Sequence, residues 1–160
     1  MFKDIYNWIT AISTFCAFCV AWYQLNKIKR TESSRFLLEL RESFSEEKRW
    51  KIHCAIKNNT TTDAIYLQEN KADVDDYLGL LEICEEMLER KTLSLDSFKN
   101  FYHYRLKYIL RNDFMIKKLL DDDISYWPKL YKLMNRFPDL KDTYYKTQEQ
   151  ILFWERIEDV

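Results

Sequence analysis

A single glycine, Gly79, and two prolines, Pro128 and Pro138, leave this chain of 160 residues almost no means of making tight hairpin turns. Sheets need several such turns, and glycine is the residue that reaches their backbone angles without steric cost. Leu, Lys, Glu and aromatic residues are abundant instead, and the apolar ones recur at three- and four-residue intervals. The expected fold class is therefore all-α, with no strands.

The next constraint is local. Positions 5–26 contain no charged residue. As a helix this run covers roughly 33 Å, enough for the roughly 30 Å hydrocarbon core of a bilayer. Trp8 stands near one end and Trp22 and Tyr23 near the other, where amphipathic rings settle at the interfaces. The run predicts an N-terminal transmembrane helix that continues into a cytoplasmic helical bundle. Lys27, Lys29, Arg30 and Arg35 follow it while only Lys3, beside Asp4, precedes it. The positive-inside bias then places the N-terminus outside a bacterial inner membrane and the C-terminal part in the cytoplasm. A cleaved signal peptide is the competing reading, with Cys19-Val20-Ala21 as cleavage site; the length of the run and the basic residues after it favour a retained signal anchor.

Asn7, Thr10, Thr14, Ala17, Ala21 and Gln24 advance by three, four, three, four and three, so they share one helical stripe. Small residues let helix backbones approach, and Asn, Thr and Gln hydrogen-bond across such a seam, each bond contributing roughly 0.6 to 2 kcal/mol. The stripe is read as helix-contact or pore-lining. Ile5, Ile9, Ile12, Phe15, Cys19 and Trp22 lie opposite and suit acyl chains. Lys27, Lys29 and Arg30 would meet anionic headgroups, each worth about 1 kcal/mol near the surface. A lone anchor, with its hydroxyls bonded back to its own carbonyls, is the alternative.

Residues 1–30 are thus expected to form the anchor and its basic flank, and residues 31–160 one helical domain. The expected helices follow the apolar spacing. One carries Phe36, Leu37, Leu40, Phe44, Ile52 and Ile56 and stops at the polar run 58–62. Another carries Val74, Tyr77, Leu78, Leu81, Cys84 and Leu88, with Asn70 as a candidate cap. A third begins at Ser94 or Asp96 and runs to Leu120 with a jog near Asn112-Asp113. Pro128 and Pro138 open the last two, the second of them reaching Ile157.

Chemistry is sparse. The formal net charge is −1 and the charges are interspersed, so no basic field exists to hold nucleic acid. Cys16, Cys19, Cys54 and Cys84 read as thiols that pack, Asp121 to Asp123 as a solvated helix end, and no cofactor or metal is expected. With two histidines in the chain, acid–base candidates are few. Arg49 and His53 share one helical face and are the weak catalytic candidates; their alternative roles are surface charge and a satisfied packing group. A second polar group, His103-Tyr104-Arg105 with Asn112 and Asp113, is expected near Glu82 and Glu85, most simply as a structural ion pair.

Arg49 and His53 invite comparison with the Arg and His of the helical HEPN ribonuclease family, although three residues lie between them where that motif has four to six. The whole layout, with Tyr77-Leu78-Gly79-Leu80-Leu81-Glu82-Ile83-Cys84-Glu85-Glu86, Leu93-Ser94-Leu95-Asp96-Ser97-Phe98 and Tyr104-Arg105-Leu106, resembles a family of small bacterial single-span proteins with a helical domain. It also resembles the membrane accessory proteins of type VI-B RNA-targeting CRISPR systems. That resemblance implies a divergent HEPN-like fold, a ring with a membrane pore, a role in antiviral defence and an RNA-guided nuclease as partner. The leading expectation is a homo-oligomeric inner-membrane pore without enzymatic activity. The others are a tether or scaffold for a cytoplasmic partner, and a membrane-bound ribonuclease using Arg49 and His53.

Overall fold

The computed structural model describes residues 2–144 and 146–157, with side chains throughout except at positions 2–13, 26, 29 and 30. Among the described residues every regular element is helical. In chain order they are α1 (Phe2–Ser45), α2 (Glu47–Asn58), α3 (Thr61–Glu69), α4 (Lys71–Glu89), α5 (Leu95–Phe101), α6 (His103–Arg111) and α7 (Asp113–Asp121). After a 3-10 turn (Ile124–Tyr126) come α8 (Pro128–Asn135), α9 (Pro138–Tyr144) and α10 (Gln148–Ile157).

The all-α expectation holds, but the transmembrane part of it is corrected. Among the described residues no helix is long and apolar enough to cross a membrane. From Lys27 onward α1 also carries Glu32, Arg35 and Glu39, charges that a bilayer interior would not accept, so that part of the helix adds no length to a span.

α4 is the centre of the bundle. Val74, Tyr77, Leu78, Leu81 and Cys84 are wholly buried on it, α8 packs along one side, and α2 packs on another. Its contact with α8 is fixed by charge as well as by apolar packing. Glu85, itself 0 % exposed, takes a bidentate pair of hydrogen bonds from Arg136, Nε to Oε2 at 2.7 Å and Nη2 to Oε1 at 2.6 Å. Such a fork satisfies both oxygens at once, which a buried carboxylate requires. Glu82 accepts from the backbone N–H groups of Lys129 and Leu130, capping the first turn of α8 that Pro128 begins.

Helix starts follow the sequence reading at Ser94 and Pro128, while Thr60, expected inside a polar loop, begins a helix of its own. Thr60 and Asp63 form a reciprocal capping box on α3, after Asn59 turns the chain with φ 54°. Ser94 caps α5 by accepting from Ser97 N–H. Asn70 departs from expectation: its amide donates back to the Tyr66 carbonyl at 2.8 Å and makes no side-chain cap on α4.

Three expected long helices are broken. The first ends at Ser45, because Glu46 takes an extended backbone (ψ 138°) and α2 sets off anew. Arg49 holds this corner, donating to Ser43 O (3.2 Å), Glu46 Oε2 (2.6 Å) and, across to α4, Asp76 Oδ2 (2.5 Å). The helix from Ser94 to Leu120 is three helices. Its second break is at Asn112, whose side chain accepts from Met115 N–H while its amide donates to the Ile56 carbonyl of α2. The helix from Pro138 to Ile157 is likewise two, α9 and α10.

Candidate functional site

α1 enters the bundle through Leu40 and Phe44, which are buried, while Leu38 on the other side stays 61 % exposed. Where this lower end of α1 leans over α5 and α6, a cavity of about 610 Å³ remains. Leu37, Leu38 and Phe44 of α1 form one wall, and Phe101, Tyr102 and Tyr104 form the other. Trp50, from the start of α2, closes one end. The charged groups in this lining are Arg41 and Arg105, and no carboxylate is among the described residues that line it.

Arg105 sits on the inward side of α6 and is 4 % exposed. Its guanidinium lies 4.1 Å over the Phe44 ring, 5.3 Å from that of Tyr104 and 5.7 Å from that of Tyr77. Nη1 donates to the Tyr77 hydroxyl oxygen at 3.1 Å, while Nε has no partner. Tyr77 in turn lies 3.0 Å from His53 Nδ1.

The directions in this chain follow from what each group can do. A guanidinium only donates, so the Tyr77 oxygen accepts from it and the Tyr77 O–H is left to donate to Nδ1. That assigns His53 as the neutral tautomer with its proton on Nε2. Burial, and then the nearby cations Arg105 and Lys57, push the His53 pKa down to about 4. Burial likewise raises Tyr77, which hydrogen bonding and the charge of Arg105 only partly offset, to about 12. The Cys84 thiol, also near Arg105, is pushed up by burial to about 12. At neutral pH the cluster therefore carries one charge, on Arg105, and Cys84 is no thiolate nucleophile.

Arg49 and His53 do different work. Asp76 holds the Arg49 guanidinium strongly cationic, with Glu46 adding to it. His53 is 3 % exposed and faces inward, packed between the rings of Trp50, Tyr77, Tyr104 and Tyr108. The polar group expected near Glu82 and Glu85 is corrected in its partners. Those carboxylates face α8, and Arg105 turns to Tyr77 instead. The His103 ring lies tilted against Phe137, centroids 4.7 Å apart, with Asp139 Oδ2 3.4 Å from its Nε2; burial lowers its pKa and Asp139 offsets part of that. Among the described residues no group of His, Cys, Asp or Glu is placed to hold a metal ion.

The stripe on α1 lies outside the bundle. Thr14, Ala17, Ala21, Gln24 and Lys27 are exposed. The side chains of Asn7, Thr10, Lys29 and Arg30 lie outside the described residues. Exposure extends right round the helix, with Phe15, Phe18, Val20, Trp22, Tyr23 and Leu25 between 56 and 70 % exposed. Sequence reasoning missed Arg41, Trp50 and Phe101 as lining of one cavity. The available signal was that Trp50 and Tyr104 fall off the apolar stripes of their own helices and are still aromatic; Phe101, three residues from the buried Phe98, gave none. No protein-family model, no curated protein and no solved structure matches this chain.

Proposed function

We propose that this chain is a self-assembling helical scaffold, in which the outer stretch of α1 packs against the same stretch of further copies and the bundle is the body so displayed. The observation that carries this is the exposure of large apolar side chains over one continuous length of helix, from Phe15 to Ile28. These seven side chains, each more than half exposed, amount to on the order of 1,000 Å² when a large side chain buries roughly 150–250 Å² in full. Monomers rarely expose more than a few hundred Å² of contiguous apolar surface, and a standard interface takes about 800 Å² per partner.

A second copy is the occupant the spacing favours. Thr14, Ala17, Ala21, Gln24 and Ile28 repeat at three and four, the period of a two-helix seam, and the small alanines admit a close neighbour. Bulky Phe18, Trp22 and Leu25 flank that seam and would close over it. Gln24, meeting its own copy, supplies both donor and acceptor.

The test is the mass of the full chain in solution by sedimentation or light scattering, for the natural sequence and for Val20→Glu with Leu25→Glu. Neither residue touches the core, so the double variant keeps its helicity. Assembly of the natural chain and a monomeric double variant are expected. A natural chain that stays monomeric overturns the proposal, and so does one that floats with phospholipid vesicles as a single subunit, which would assign the same surface to lipid.

A further inference from the structure

Arg105 is a buried cation to which the described residues offer no anion. Burying a charged group costs several kcal/mol unless an opposite charge meets it, as Arg136 meets the buried Glu85. At Arg105 the carboxylate is missing. One N–H goes to a neutral hydroxyl, the Nε hydrogen goes to nothing, and three aromatic faces supply the rest. The group also lines a cavity of about 610 Å³, within the size range of small-molecule sites. Arg41 adds a second positive charge to the same lining.

We propose that the cavity between the lower end of α1 and helices α5 and α6 binds a small organic anion. Its acidic head meets Arg105 and Arg41, and its apolar body lies against Leu38, Trp50, Phe101 and Tyr104. The division of labour follows from the lining. Guanidinium and carboxylate or phosphate form charge-assisted hydrogen bonds, strongest where water is excluded. Trp50, Phe101 and Tyr104 are 51, 59 and 40 % exposed, large ring surfaces left wet at the mouth of a cavity, which an apolar body would cover. A bare inorganic anion would use the arginines and leave the rings uncovered; a neutral aromatic would do the reverse. The site is separate from the outer stretch of α1, so it does not depend on assembly.

Calorimetric titration of the full chain with phenyl phosphate, phenol and inorganic phosphate tests this. Phenyl phosphate is expected to bind at least about tenfold more tightly than either of the others, as one charge-assisted contact of roughly 1.5–3 kcal/mol implies. Arg105→Gln should remove that preference. Because that buried change risks the fold, Leu38→Glu is the second variant. Its side chain is 61 % exposed and lines the cavity, so a carboxylate there leaves helicity intact and repels the ligand, again by about tenfold or more. Equal binding of phenol and phenyl phosphate, unchanged binding by folded Leu38→Glu, or no binding of phenyl phosphate at millimolar concentration would each overturn the assignment.

Discussion

The outer stretch of α1 and the middle of α4 are both rich in apolar residues, yet one is wet on every described side and the other is sealed. In α4, Val74, Tyr77, Leu78, Leu81 and Cys84 are 0 % exposed, while Asp76 and Glu86 stand outside and pair with Arg49 and with Arg90. Polar and apolar residues divide that helix into an inner and an outer side, and the division tells the helix which way to face. The outer stretch of α1 has no such division. Without an acidic or basic side between Thr14 and Asn26, nothing in it selects a face for the bundle to cover. Apolar character says that a surface is costly in water, and only the arrangement of the other helices says whether the same chain can cover it.

The contrast is broken or upheld first by truncation. Leu81→Ala in α4 should cost about 2–5 kcal/mol of unfolding free energy, the range for a leucine in a closed core. Phe18→Ala in α1, where the ring is 64 % exposed, should change the stability of the bundle by less than about 0.5 kcal/mol. Denaturant unfolding of dilute protein measures both, and equal losses would erase the distinction between the two helices.

A smaller effect sharpens the description of what lies under the lower end of α1. His53 is held neutral, its pKa down to about 4 from an ordinary 6.5. Between those values the unfolded chain binds the proton and the folded one does not. Stability from this group is therefore complete above about pH 6.5, falls as pH drops toward 4, and is flat below that. The loss should be on the order of 3 kcal/mol at most, since a tenfold change in proton affinity is worth about 1.4 kcal/mol. Thermal unfolding across pH 7.5 to 4.5 would show the slope, and His53→Phe should flatten it. A slope that survives the substitution would place the titrating group elsewhere.

The smallest expected effect is a gain. Gly79 sits within α4, and a methyl added there would meet nothing within 4 Å. Gly79→Ala should therefore stabilise the bundle by about 0.5–1 kcal/mol through helix propensity and a less flexible unfolded chain. A loss of stability would show α4 to be more tightly enclosed than its packing indicates.

Much of the helical plan was legible because its signals are local. Ser94 marks a helix start through a hydrogen bond that closes within a turn, and Pro128 marks one through a φ already fixed near the helical value. The three- and four-residue spacing from Val74 to Leu88 marks a buried stripe whatever the partner. The corner at Glu46 left no such mark, since neither glycine nor proline is near it. Arg49 fixes it through Asp76, 27 residues away. Asn112 was visible as an irregularity, but its role in tying α6 and α7 to the Ile56 carbonyl depends on where α2 lies. The candidate site was less legible still. Arg105 stood out in the sequence beside Glu82 and Glu85, and opposite charges suggested a pair. α8 takes those carboxylates, so the arginine is left with Tyr77 and a cavity.

By itself the sequence determined the helical class, some of the helix starts and the inner side of α4, because backbone propensity, capping and amphipathic period act within a few residues. Tertiary structure alone decided which carboxylate meets which arginine, where α1 turns, and that its apolar outer stretch leaves the bundle uncovered. Those outcomes depend on the packing of helices distant in sequence, and no short-range pattern encodes the distance between them.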